Sequence, residues 1–232
     1  MSASADGAPE NNFAANRQKL AEKDPEQPGR AASAVGKLHG RLVHGRRIAV
    51  LAQRLAAFIP PGCRLLDVGC GDGTLGALLE QSVAGLSVTG VEVLPRTGCA
   101  IECHGFDGVH LPFGDGAFDG CLFVDVLHHT LDPFTLLADA CRVSREFILI
   151  KDHLAETRWD HSRLRFMDWV GNRSHGVALP YAYLSSAQWR ELFDRLGLTE
   201  ERSDRELPLY PFPASVVFGG RLHFAMLLRK NK

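Results

Sequence analysis

Residues 65–73, Leu65-Leu66-Asp67-Val68-Gly69-Cys70-Gly71-Asp72-Gly73, constrain the fold of this chain more than any other stretch. Leu65 to Val68 is a short apolar run of the kind that forms a buried strand. Three alternate glycines close it, and Thr74-Leu75-Gly76-Ala77-Leu78-Leu79 then has helical spacing. A strand, a glycine turn and a helix make the first half of a nucleotide-binding α/β unit. The glycines permit a tight turn with positive φ and let a ligand lie against bare backbone. The spacing is Gly-x-Gly-x-Gly, not the Gly-x-Gly-x-x-Gly that seats a pyrophosphate on a helix N-terminus. Asp67 before the turn and Asp72 inside it would repel a pyrophosphate. They suit a ligand with an ammonium group and no phosphate.

Three further segments follow in order. Glu92 ends the apolar segment Leu86 to Val91, where an acid past the second strand is placed to take ribose hydroxyls. Asp107 precedes Leu111-Pro112-Phe113-Gly114-Asp115-Gly116-Ala117-Phe118-Asp119. The apolar strand Gly120 to Val124 then ends in Asp125-Val126-Leu127-His128-His129. In these four motifs, from about Arg64 to Asp152, the chain resembles the class I S-adenosylmethionine-dependent methyltransferases. It looks most like the small-molecule, type 11-like group, whose signature is LPFxDxxFD followed by a strand and a Leu-His-His turn. The resemblance implies a doubly wound, mostly parallel seven-stranded α/β Rossmann-like sheet with an antiparallel last strand and a lid insert after strand five. It implies S-adenosyl-L-methionine as cofactor. Asp67 and the backbone of Gly69, Cys70 and Gly71 would hold its methionine end, Glu92 its ribose and Asp107 its adenine amino group. Val93 and Gly108 join this set, and Asp125 and Val126 would lie beneath the sulfonium. Asp107 reads equally well as a turn-forming residue before Gly108.

With 232 residues, 45% of them hydrophobic, the chain is long enough for one domain with a sizeable core. No apolar run approaches the roughly 20 residues that span a bilayer. Residues 1–30 read as a flexible polar arm without the apolar centre of a signal peptide, so a cytoplasmic enzyme with its domain over 31–232 is expected. Six scattered cysteines fit reduced thiols. Cys99, Cys103 and His104 lack a second ligand pair, so no metal is expected. Net charge is −1, which gives no global pull toward nucleic acid. Between Glu26 and Asp67 there is no acid. Arg46 and Arg47 there belong either to a solvated helix face or to an anionic group of the substrate.

Strands are expected at about 64–68, 86–92, 100–106, 119–125 and 146–151, with helices over 74–82 and 133–143. The link from Val93 to Cys99 is too short for a regular crossover helix. A lid segment over 153–183 follows strand five, with Trp159 and Trp169 as lid core. Asn172, His175, Tyr181 and Tyr183 are candidates to meet a small-molecule substrate. His153 and His128 are the candidate general bases, because imidazole titrates near neutrality and both strand ends face the crevice. His128 has alternative uses in cofactor packing or helix capping. Asp152 and His153 are not expected to pair by adjacency. Base methylation in nucleic acid commonly uses an Asp/Asn-Pro-Pro-aromatic turn after strand four, where this chain has Asp125-Val126-Leu127-His128. An RNA methyltransferase and a non-catalytic cofactor-binding protein remain the alternatives to O- or N-methylation of a small molecule.

Overall fold

The computed structural model describes residues 45–130, 132–172, 182–212 and 214–231. The arm expected over 1–30 lies outside them. Seven strands form one sheet: β1 (Arg64–Val68), β2 (Ser87–Glu92), β3 (Glu102–Gly105), β4 (Phe118–Val124), β5 (Ser144–His153), β6 (Leu198–Asp204) and β7 (His223–Lys230). Their order is β3-β2-β1-β4-β5-β7-β6. β1 to β5 pair in parallel, and β7 runs antiparallel between β5 and β6. Strand order reverses between β1 and β4, which opens a crevice at their C-terminal ends.

Helices cover both faces, so the central strands are apolar throughout rather than alternating with polar residues. Neighbouring residues feed opposite cores: Leu66 and Ile148 join one cluster, Leu65 and Leu149 the other. The described helices are α1 (45–56), α2 (Thr74–Ser82), α3 (Pro133–Val143), α4 (Arg158–Asn172), α5 (Ser186–Arg195) and α6 (Ala214–Phe218). Asp132 caps α3 by accepting from the N–H groups of Phe134 and Thr135, with Pro133 at the first position. Ser185 and Gln188 form the reciprocal capping box of α5.

The structure departs from the sequence expectation in three places. β3 spans only Glu102–Gly105, because residues 93–101 fold back without a helix and use up part of the expected strand. β5 runs on to His153, so Asp152 and His153 still belong to the sheet. Trp159 is not lid core: it is 70% exposed and Phe166 is 50% exposed, while Leu164 is fully buried. Leu164 packs with Ala155, Tyr183 and Leu222, and Met167 lies against them. Leu164 and Met167 are three apart and share a helix face; Trp159, five before Leu164, falls on another.

Gly120 of β4 leaves no room for a side chain beside β5. It is in register with Phe147, and a Cβ there would lie 2.3 Å from the Phe147 ring. Gly120→Ala is predicted to destabilise the protein by about 1–3 kcal/mol, the cost of overpacking a filled core. Urea unfolding checks this; an unchanged midpoint would contradict the packing described.

Candidate active site

The turn after β1 is built around bare backbone. Gly69 and Gly71 have φ of 75° and 61°, in the left-handed region that favours glycine. A Cβ on Gly69 would lie 2.6 Å from Cγ2 of Val126, at the end of β4, whereas one on Gly71 would meet nothing within 4 Å. Gly71 therefore faces open space on the crevice side of a turn that is otherwise packed. The N–H groups of Gly69 and Cys70 donate to the carbonyl of Val91 at 2.8 and 3.1 Å, tying the turn to β2. Glu92 braces it further, accepting from the N–H of Gly71 at 3.0 Å and of Val93 at 2.9 Å. Asp67 is buried, and burial together with the charge of Glu92 pushes its carboxyl up to about 7. An ammonium group placed beside it would favour the charged carboxylate and draw that value back down. The second acid of the turn is used locally, since Asp72 accepts from the N–H of Thr74 at 3.0 Å, at the start of α2. Asp107 shapes its own turn. It accepts from the N–H groups of Val109 and His110 at 2.8 and 2.7 Å, which hold its carboxyl down to about 2. Gly108, at φ 90°, follows it in the same turn.

At the ends of β4 and β5, ionisable side chains converge. Asp152 is fully buried. Its carboxylate accepts from the N–H of Leu127 at 3.1 Å, Nδ1 of His128 at 2.7 Å and the N–H of His153 at 2.8 Å. Nδ1 of His153 lies 3.2 Å from the same oxygen. Asp152 and His153 thus do meet, against the sequence expectation, because the His153 peptide N–H draws the carboxylate back toward its own neighbour. Burial alone would raise the Asp152 carboxyl, but His128 and His153 hold it well below the usual range. Asp125 has φ 57°, the only described non-glycine residue with positive φ. It forms ion pairs with Arg47 of α1 and with the fully buried Lys151 of β5. Burial opposes its ionisation, and Lys151 and Arg47 overcome this and keep it ionised. Burial lowers the affinity of His153 for a proton, and the nearby His128 lowers it further. Asp125, His128, Asp152 and His153 bring potential metal-ligand atoms within 4.8 Å of one another. Lys151 and Arg47 supply positive charge to Asp125, while Asp152 is met by His128 and His153.

Of the residues singled out from sequence, the fold brings Asp67, Gly69, Cys70, Gly71, Glu92 and Val93 to one edge of the crevice. Asp125, Val126, His128 and His153 lie at the adjoining edge. Arg47 reaches Asp125, while Arg46 is exposed. Tyr183 is buried and stacks on His128, with ring centroids 5.7 Å apart. His175 and Tyr181 lie outside the described residues, as does the side chain of Asn172. Sequence reasoning missed Lys151, Asp152, Trp189 and His223. The indole Nε1 of Trp189 donates to the His153 carbonyl at 3.1 Å, and His223 sits beside Lys151 at 3.4 Å. Three consecutive ionisable residues closing the apolar run Phe147 to Ile150 were the available signal.

Residues 39–202 match the family model described as a methyltransferase domain. The chain belongs to that family, with the fold of the class I S-adenosylmethionine-dependent methyltransferases. An uncharacterized methyltransferase of Mycobacterium sp. (strain JLS) is 36% identical over 105 residues, covering 42% of this chain and 41% of its own. An O-methyltransferase of Penicillium expansum is 34% identical over 96 residues, covering 36% and 35%. The matched stretch thus spans well under half the length of these curated relatives. A solved structure of Burkholderia thailandensis 1,6-didemethyltoxoflavin-N1-methyltransferase, with bound 1,6-didemethyltoxoflavin and S-adenosylhomocysteine, shares the fold. Its TM-score is 0.59 at 18% identity, covering 90% of this chain and 94% of that one.

The raised Asp67 carboxyl gives a stability prediction. Its charged form is disfavoured in the folded chain, so its contribution is present at low pH and is lost as pH rises through about 7. The ligand-free protein should lose thermal stability as pH rises from about 4 to about 7 and level off above that, and Asp67→Asn should flatten that loss. Equal slopes in both proteins would contradict the assignment.

Proposed function

We propose that the protein transfers a methyl group from S-adenosyl-L-methionine to oxygen or nitrogen of a small-molecule acceptor. When bound, the cofactor supplies an activated methyl group on a sulfonium. What remains for the chain is to hold the acceptor in line at about 3 Å and keep water out. Asp67 would meet the ammonium of the methionine end, beside the open backbone at Gly71. Glu92 would accept the ribose hydroxyls with the oxygen lone pairs that the two N–H groups leave over. Asp107 and Gly108 would face the adenine, and Asp125 and Val126 the sulfonium side.

In this reading His128 is the general base. The hydrogen bond of 2.7 Å between its Nδ1 and the buried Asp152 supports this most directly. A carboxylate held ionised on Nδ1 fixes the tautomer in which Nε2 carries the lone pair. A second candidate is His153, whose buried Nε2 has no hydrogen-bond partner among the described residues. Tyr183 and α4 would form the acceptor side. Arg47, and Arg46 beyond it, would meet an acidic acceptor. The Penicillium O-methyltransferase and the Burkholderia enzyme with its small bound acceptor support a small-molecule class. An RNA substrate would call for a broad basic groove and steep salt dependence, and the net charge of −1 offers little for it.

His128→Asn should lower kcat by roughly 10²–10⁴-fold while leaving cofactor affinity near that of the parent. Glu92→Ala should do the reverse, weakening cofactor binding by about 1.5–3 kcal/mol. Steady-state kinetics and calorimetry on both variants separate the two roles. Full turnover in His128→Asn with loss in His153→Asn would move the base to His153. Full turnover in both would remove imidazole from the chemistry.

A further inference from the structure

Three thiols meet behind the glycine turn. Cys70 lies in the turn, Cys103 in β3 and Cys99 in the link between β2 and β3. The sulfurs of Cys70 and Cys103 are 3.5 Å apart, and those of Cys70, Cys99 and Cys103 all fall within 4.8 Å of one another. The fold clears space for them. Gly90 of β2 is in register with Cys103, and a Cβ there would lie 2.5 Å from the Cys70 sulfur. A Cβ on Gly73 would lie 2.7 Å from the Cys99 sulfur. The short link is what closes the cluster: with no crossover helix, residues 93–101 turn straight back over the glycine turn. The N–H of Ala100 donates to the Asp72 carbonyl at 2.9 Å and holds Cys99 in place.

The donor set consists only of sulfur. Converging thiolates without a hard donor select soft cations over magnesium or calcium. Burial, and to a lesser degree the charges of Asp67 and Glu92, push the Cys70 and Cys103 thiols up, so a bound cation is what would offset the charge of the thiolates. Cys70 is buried while Cys99 and Cys103 are partly exposed, which gives an ion a way in. We propose that Cys70, Cys99 and Cys103 form a three-thiolate site for a soft d10 cation of the zinc, cadmium or copper(I) type. Each thiol passes its proton to solvent as its sulfur–metal bond forms, and no electron is transferred. The bound ion fastens edge strand β3 and the β2–β3 link to the turn. This site does not depend on the methyl-transfer reading.

Cadmium(II) is the probe. The reduced full-length protein is titrated with it, following the ultraviolet thiolate-to-cadmium absorption band, and the thiols are then alkylated and mapped by mass spectrometry. The site predicts saturation near about one equivalent, with the ion protecting Cys99 and Cys103 from alkylation. Cys99→Ser and Cys103→Ser should each weaken cadmium binding by about tenfold or more, and Cys141→Ser, in α3, should not. The alkylation map uses the parent protein and so does not depend on how the variants fold. No stoichiometric band, a band unchanged in both serine variants, or cysteines elsewhere being the ones protected would each overturn the site. S-adenosylmethionine binding measured on the same sample reports on methyl transfer separately.

Discussion

A single buried carboxylate organises the reactive end of this sheet. Asp152 has no exposure to solvent, and a charge so placed persists only if hydrogen bonds replace its lost water. Here the N–H of Leu127, the N–H of His153 and the ring of His128 replace it. The first and third of these come from the short helical turn after β4, Leu127–His129, so one carboxylate on β5 fixes where β4 delivers its histidines. Replacing Asp152 would release that turn as well as the imidazole, which is why geometry and chemistry cannot be separated at this residue.

A second charge centre completes the arrangement. Asp125 draws in Lys151 from the neighbouring strand and Arg47 from the helix that precedes β1. A left-handed backbone in a non-glycine residue carries strain of about 1–3 kcal/mol and persists only where its surroundings over-determine it. Two ion pairs, together with the bond from the Asp125 N–H to the Lys151 carbonyl at 2.9 Å, do so here. Buried pairs of this kind add little net stability, but removing one member leaves an unpaired charge at a cost of about 3–5 kcal/mol. The network is better understood as fixing the crevice floor than as stabilising the fold.

Much of this architecture is legible in the sequence. The glycine turn, Glu92 and the LPFxDxxFD segment carry a family resemblance that implies the doubly wound sheet with its antiparallel last strand, and an apolar run closed by glycines marks the crevice. The helix bounds over 74–82 and 133–143 follow from spacing and from the Asp132-Pro133 cap. The convergence of Asp152 on His128 is not legible: the two are 24 residues apart and meet only through the pairing of β4 with β5. The same holds for Cys70 and Cys103, which meet across Gly90. Trp159 is misassigned from sequence because bulk and apolarity suggest core, whereas the phase of α4 gives that place to Leu164.

The functional reading depends on the proposal that the glycine turn, Asp67 and Glu92 seat an adenosyl ligand with an ammonium and no phosphate. Calorimetric titration with S-adenosylmethionine, S-adenosylhomocysteine and NAD tests it most directly. Saturable binding of the first two at one site is expected, with none of NAD. Tight binding of NAD with no signal from either adenosyl ligand would contradict it.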